Sequence, residues 1–166
     1  DRLTEVSNGK PTFAQWYYGP QNRFLASLSY QSNASTKFFD RFSVNANFQD
    51  IEESRQSRRL NAAALKSQIE QVRIFGVVAN FRKSIGSHEL DYGMDYSYND
   101  VKSVATFKNL STQSTSAADT RYPDGGSNMG YLGIYLAHRW QISDRWSVSD
   151  GLRFSRVSLS ARFEDR

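Results

Sequence analysis

The sequence predicts an all-β chain: an antiparallel meander of about six strands, curved as a segment of a transmembrane β-barrel. Two observations carry this expectation. Large apolar side chains take one parity and small or polar ones the other in Leu90-Asp91-Tyr92-Gly93-Met94-Asp95-Tyr96-Ser97-Tyr98-Asn99, so a strand built this way shows oil on one face and water on the other. The same pattern returns at Phe24, Ala26, Leu28 and Tyr30, at Phe42, Val44, Ala46 and Phe48, at Phe75, Val77, Ala79 and Phe81, and at Ile134, Leu136, His138 and Trp140. Second, mean hydropathy is only −0.63, yet aromatics reach 14%, which concentrates the apolar material in bulky strand formers.

The elements follow in order. Residues 1–22 hold the turn formers Asn8-Gly9-Lys10-Pro11 and Gly19-Pro20, and read as a loop feeding a first strand at residues 23–31. Polar Ser32-Asn33-Ala34-Ser35-Thr36 makes a short turn. A second strand runs from about Phe39 through Phe48 toward Ile51 and pairs antiparallel with the first. Residues 49–68 carry Glu52-Glu53-Ser54-Arg55-Gln56-Ser57-Arg58-Arg59 and then an Ala-rich stretch suited to one helical turn; they read as a long, wet connection.

A third strand at residues 71–83 ends at Ser84-Ile85-Gly86-Ser87, and a fourth occupies residues 88–102. Residues 108–128, with Ser111-Thr112-Gln113-Ser114-Thr115-Ser116 and Tyr122-Pro123-Asp124-Gly125-Gly126, form the longest polar segment. The fifth strand covers residues 130–141, the turn Ile142-Ser143-Asp144-Arg145 follows, and the sixth climbs from Trp146 through Phe154 toward Phe163. Its apolar parity changes near Arg156, which marks a bulge or the exit from the membrane.

Short and long connections thus alternate, as they do in membrane barrels. The Ser32, Ser84 and Ser143 turns are expected on the periplasmic side, and the segments around Arg55 and Ser114 outside the cell. Charge at the middle of the lipid face costs about 2 to 4 kcal/mol for Arg or Lys, and the apolar parity is free of charge there apart from His138 and Asp150. The other parity gives Asn45, Asn47, Asn80, Arg82, Asp91 and Asp95 to a hydrated lumen. Trp140 and Trp146 beside the Ser143 turn, and Tyr96 and Tyr98 toward the far end of the fourth strand, are expected as aromatic girdles at the two membrane interfaces.

Several functions are disfavoured. No apolar run approaches the roughly 20 residues of a spanning helix, a test that barrel strands escape. The absence of Cys removes thiol nucleophiles, disulfides and thiolate metal sites. The 21 Lys+Arg are scattered among 17 acids without a basic stripe, so no nucleic acid is expected as a partner. His88 and His138 have no partner at ligand spacing along the chain, Glu52-Glu53 and Asp144 read as solvated carboxylates, and no nucleophile meets a base. Neither an enzyme nor a cofactor or metal site is expected.

The ordered set from Thr120-Arg121-Tyr122-Pro123-Asp124-Gly125 through Tyr131 and Tyr135 to Trp140-Gln141-Ile142-Ser143-Asp144-Arg145-Trp146, then Gly151-Leu152-Arg153-Phe154, resembles TonB-dependent outer-membrane receptors. Leu90-Asp91-Tyr92-Gly93-Met94-Asp95-Tyr96 is similar to the strand that precedes these in the family. The resemblance implies gated uptake of a scarce nutrient such as a siderophore, haem, cobalamin or a glycan across the bacterial outer membrane. It also implies a barrel of about 22 strands with an N-terminal plug that contacts TonB. About six strands cannot close such a barrel, so residues 1–166 are expected to be part of the barrel domain, with the plug absent. Partners are then outer-membrane lipid, a small nutrient, and the TonB complex through the missing plug.

Ligand contact is expected at loop tips and lumen residues, with Arg121 and Tyr122 of the long polar segment as candidates. A different class stays open at this point: a soluble or secreted β-sandwich or lipocalin-like binding protein whose apolar parity packs inward.

Overall fold

The computed structural model describes residues 5–7 and 9–164. The described residues form strands and no helix. Strands β1 (Val6–Ser7) and β2 (Lys10–Pro11) pair as a small ribbon of their own; Asn8 of the expected turn lies outside the described residues. The main sheet is an antiparallel meander in chain order. It comprises β3 (Phe13–Ser32), β4 (Arg41–Arg59), β5 (Ala64–Ile85) and β6 (His88–Asn109), the short β7 (Thr115–Ala117) paired to β6, then β8 (Ser127–Ser143) beside β6 and β9 (Trp146–Ala161) at the edge.

These strands outrun the alternating pattern. β3 starts at Phe13 rather than near Arg23, and β4 and β5 consume the expected wet connection. Residues 60–63 alone make the turn between them, with Asn61 at φ 61°, and no helical turn forms there. The physical reason is that alternation signals a strand only where one face meets oil. Beyond that band both faces are wet, yet the backbone ladder persists, supported by polar cross-strand pairs. Gln21 Nε2 donates to Glu53 Oε1 at 2.9 Å, Gln56 Nε2 donates to Ser67 Oγ at 3.0 Å, and Arg55 donates to Gln68.

Connection lengths therefore do not alternate as expected, since residues 33–40 outnumber residues 60–63. What alternates is how far the strands project past the apolar band. At the other end of the sheet, the 33–40 connection is pinned by Asp40. Its carboxylate accepts from Lys83 Nζ at 2.8 Å, from the Ser84 amide at 2.9 Å and from Ser35 Oγ at 2.7 Å, and these donors, Lys83 first, hold it well below the usual carboxylate range.

Register brings the apolar parity of every strand to one face. Val44, Ala79, Met94, Ile134 and Phe154 are successive partners across β4, β5, β6, β8 and β9. In β3 the register shifts between Tyr18 and Gln21, around Gly19 at φ 120° and Pro20, which has no N–H to give the ladder. The freed Pro20 carbonyl accepts from Ser54 Oγ at 3.0 Å. Near Arg156 no bulge occurs: Leu132 pairs with Arg156, Tyr131 with Val157 and Met129 with Leu159 in unbroken register. The two faces simply exchange character there.

The sheet is a single layer. Among the described residues the buried apolar side chains are Ala105 and Ala118, while Leu28 is 73% exposed and Leu152 81% exposed. A sandwich or lipocalin-like protein needs its apolar rows enclosed against one another. These rows lie open along one face, which overturns that reading.

Candidate functional site

The opposite face carries several hydrogen-bonded polar groups. Arg82 grips Asp91 with two parallel hydrogen bonds, Nε to Oδ1 at 2.7 Å and Nη2 to Oδ2 at 3.1 Å. Arg153 Nη2 donates to both Asp95 Oδ1 and Tyr131 Oη at 2.6 Å. Tyr135 Oη donates to Asn80 Oδ1 at 2.8 Å, its ring lying over Gly93, where a Cβ would meet Tyr135 Cε1 at 2.8 Å and the Ala79 carbonyl. The side chain here must be absent for the tyrosine to reach its partner, as when an aromatic ring covers a strand glycine.

Above the apolar band the segment 118–126 does not wave free as an external loop. It folds back as a strap over the polar face of β5 and β6. The Ala118 amide donates to the Ala105 carbonyl at 3.0 Å, Gln68 Nε2 donates to the Asp119 carbonyl at 3.1 Å, and the Gly125 amide donates to the Arg162 carbonyl at 3.0 Å. Gln68, Glu70, Ser103 and Ala105 are buried under it.

Arg121 and Tyr122, the expected ligand contacts, lie on this strap with their side chains exposed. They line a concavity of about 210 Å³ with Arg23, Ile51, Glu53 and Glu70. Arg121 Nη1 stands 3.6 Å from Glu70 Oε2. Both Glu70 carboxylate oxygens are buried without a hydrogen-bond donor, and burial pushes its pKa up against the pull of Arg121 and Arg55. Burial of this kind favours the protonated form of a carboxyl group.

The histidines depart from expectation. His88 and His138 are far apart in sequence but diagonal neighbours on β6 and β8, with His88 Nδ1 2.9 Å from His138 Nε2 and His138 Nδ1 2.9 Å from Asp150 Oδ1. The two polar exceptions on the apolar parity thus satisfy one another. Trp140 stacks on His88 at 5.5 Å between ring centroids, and Trp146 stands 72% exposed beside the 144–145 turn. Tyr96 and Tyr98 lie on the apolar face toward the projecting end. Sequence reasoning missed the ring row at the opposite end, where Tyr30, Phe42, Phe81 and Tyr92 stand side by side at 4.8 to 6.3 Å. Its signal was present: an aromatic on the apolar parity at each strand end nearest a short turn.

A family model described as TonB dependent receptor-like, beta-barrel matches residues 2–165. The chain belongs to this family. The resemblance, which covers most of residues 21–163 and is strongest at 120–156, is thus matched by the TonB-dependent receptor barrel family over residues 2–165. Among solved structures, this receptor segment is similar to one described as copper transporter OprC, with a TM-score of 0.70 and 15% sequence identity, covering 88% of this chain and 24% of that one. That likeness is one of fold, and the segment spans about a quarter of the OprC chain's length. No curated protein matches its sequence.

Proposed function

We propose that this chain is wall material of an outer-membrane receptor that takes up a small nutrient, of the siderophore, haem, cobalamin or glycan kind, with energy delivered by the TonB complex. The observation that carries the reading is the family match along a one-layer sheet with an exposed apolar face and a hydrogen-bonded polar face. The apolar face meets the lipid of the bacterial outer membrane. Its height suits that role: Leu90 to Tyr98 on β6 spans about 9 residues, the length of a tilted transmembrane strand.

In this arrangement Trp140 and Trp146 anchor the periplasmic interface and Tyr96 and Tyr98 approach the outer one. The polar face lines the lumen, and the strap with Arg121 and Tyr122 stands at the extracellular mouth as a ligand contact. The TonB contact belongs to a plug domain, and no enzymatic step is assigned to the chain. Fractionation of cells producing the full-length protein, followed by uptake assays with and without TonB, tests the reading. Outer-membrane recovery and TonB-dependent uptake that falls in Arg121→Ala/Tyr122→Ala are expected. Recovery in a soluble fraction would end it.

A further inference from the structure

The strands that project past the apolar band enclose a second concavity, of about 470 Å³, on the polar face beyond the strap. Its lining includes the cations Arg55, Arg59 and Lys66 and the rings of Phe13, Trp16 and Phe107, and no carboxylate. Register explains the grouping. Trp16, Ser57, Lys66 and Phe107 are successive partners across β3, β4, β5 and β6, while Phe13 pairs with Arg59. All of these therefore share one face of neighbouring rows.

Arg59 and Lys66 are the uncompensated charges of this group, while Arg55 is also drawn toward the buried Glu70 at longer range. None of the three enters an ion pair among the described residues. Arg55 is held by the neutral amide of Gln68, and Lys66 Nζ sits 5.8 Å above the centre of the Phe107 ring. Trp16 is braced edge-on by Tyr18 at 4.9 Å. Cations gathered in excess of anions raise the local potential and draw an oppositely charged ligand, and flat rings beside them offer a stacking surface.

We propose that this concavity binds an anionic, ring-bearing small molecule. Its acidic groups would lie against Arg55, Arg59 and Lys66 and its ring between Trp16 and Phe107. A volume of about 470 Å³ falls within the range of small-ligand pockets, roughly 300 to 1,000 Å³. The proposal deepens the receptor reading by naming the class of cargo, and rests on that reading for the step of uptake but not for binding.

The test uses the full-length protein in nonionic detergent with pyrene tetrasulfonate as probe, read by fluorescence anisotropy. Saturable binding that weakens with added salt is expected, with affinity reduced about tenfold or more in Arg59→Glu and in Lys66→Glu. Arg59→Lys, which keeps the charge, should retain most of it, and Trp16→Leu should weaken binding without changing its salt dependence. Absence of binding by the unaltered protein, or equal binding by the charge-reversed variants, overturns the proposal. Probe binding with no TonB-dependent uptake would leave this site standing and remove the receptor reading; uptake without probe binding would do the reverse.

Discussion

Arg153 on β9 reaches across Gly133 on β8 to bring its Nη2 within 2.6 Å of Asp95 Oδ1 on β6. The strand between the two charges lacks a side chain at the point of crossing, which lets an ion pair tie three strands rather than two. A Cβ on Gly133 would lie 2.7 Å from Asp95 Oδ1 and collide with the Arg153 guanidinium.

Gly133→Val should therefore break the pair and displace Arg153 from both Asp95 and Tyr131. The expected outcome is a lower temperature at which the full-length protein in detergent loses its compact electrophoretic mobility. Gly130→Val provides the comparison, because its one contact within reach is the Ser158 hydroxyl, an uncharged side-chain end that can rotate aside. An unchanged transition in Gly133→Val would show that the crossing contributes nothing.

Tyr135→Phe removes one hydrogen bond, from Oη to Asn80, and leaves the ring over Gly93. A loss of about 1 kcal/mol is expected. Gly93→Ala should cost more, since its new methyl meets backbone as well as the ring. Urea titration of the full-length barrel refolded into lipid vesicles measures both.

Strap docking should depend on pH through Glu70. Burial raises its folded pKa above the ordinary 4.5, so the folded form binds the proton more readily than the unfolded one. This contribution to stability is fully present below pH 4.5 and is lost as pH rises through the raised folded value. Hydrogen exchange at the Ala118 amide, corrected for intrinsic rate, should show protection falling over that interval. Glu70→Gln, neutral at every pH, should flatten the profile; a fall of the same size in the variant would assign the effect elsewhere.

Ile134 lies on the apolar face at 50% exposure. Ile134→Arg is expected to cost about 2 to 4 kcal/mol of folding free energy in a bilayer. Ser97→Arg, on the polar face of β6, should cost far less, and equal penalties in vesicle refolding would mean that the faces are not divided between lipid and water.

Within the apolar band, facing was legible from alternation and strand order from the short turns. Leu90 to Tyr98, Phe75 to Phe81 and Ile134 to Trp140 fall on the face that their parity assigns. The projecting ends were not legible, because Glu52 to Arg59 and Lys66 to Gln71 carry polar groups on both parities. The candidate site suffered most from this. Arg121 and Tyr122 were named, but Glu70, their buried neighbour, and the Arg55, Arg59, Lys66 and Trp16 grouping lie outside the strands that alternation marks.

Two-fold periodicity, the short turns and the excess of aromatic strand formers determine a meander with one oily face, since these are local properties that each strand states for itself. Which residues share a row across strands was decided only by tertiary structure. His88 meets His138, Trp16 shares a row with Lys66, and the strap turns inward because register and back-folding join positions whose separation along the chain carries no information about their contact. Hydrogen-bonded ladders continue wherever polar side chains satisfy one another across strands, and that satisfaction is a relation between distant segments.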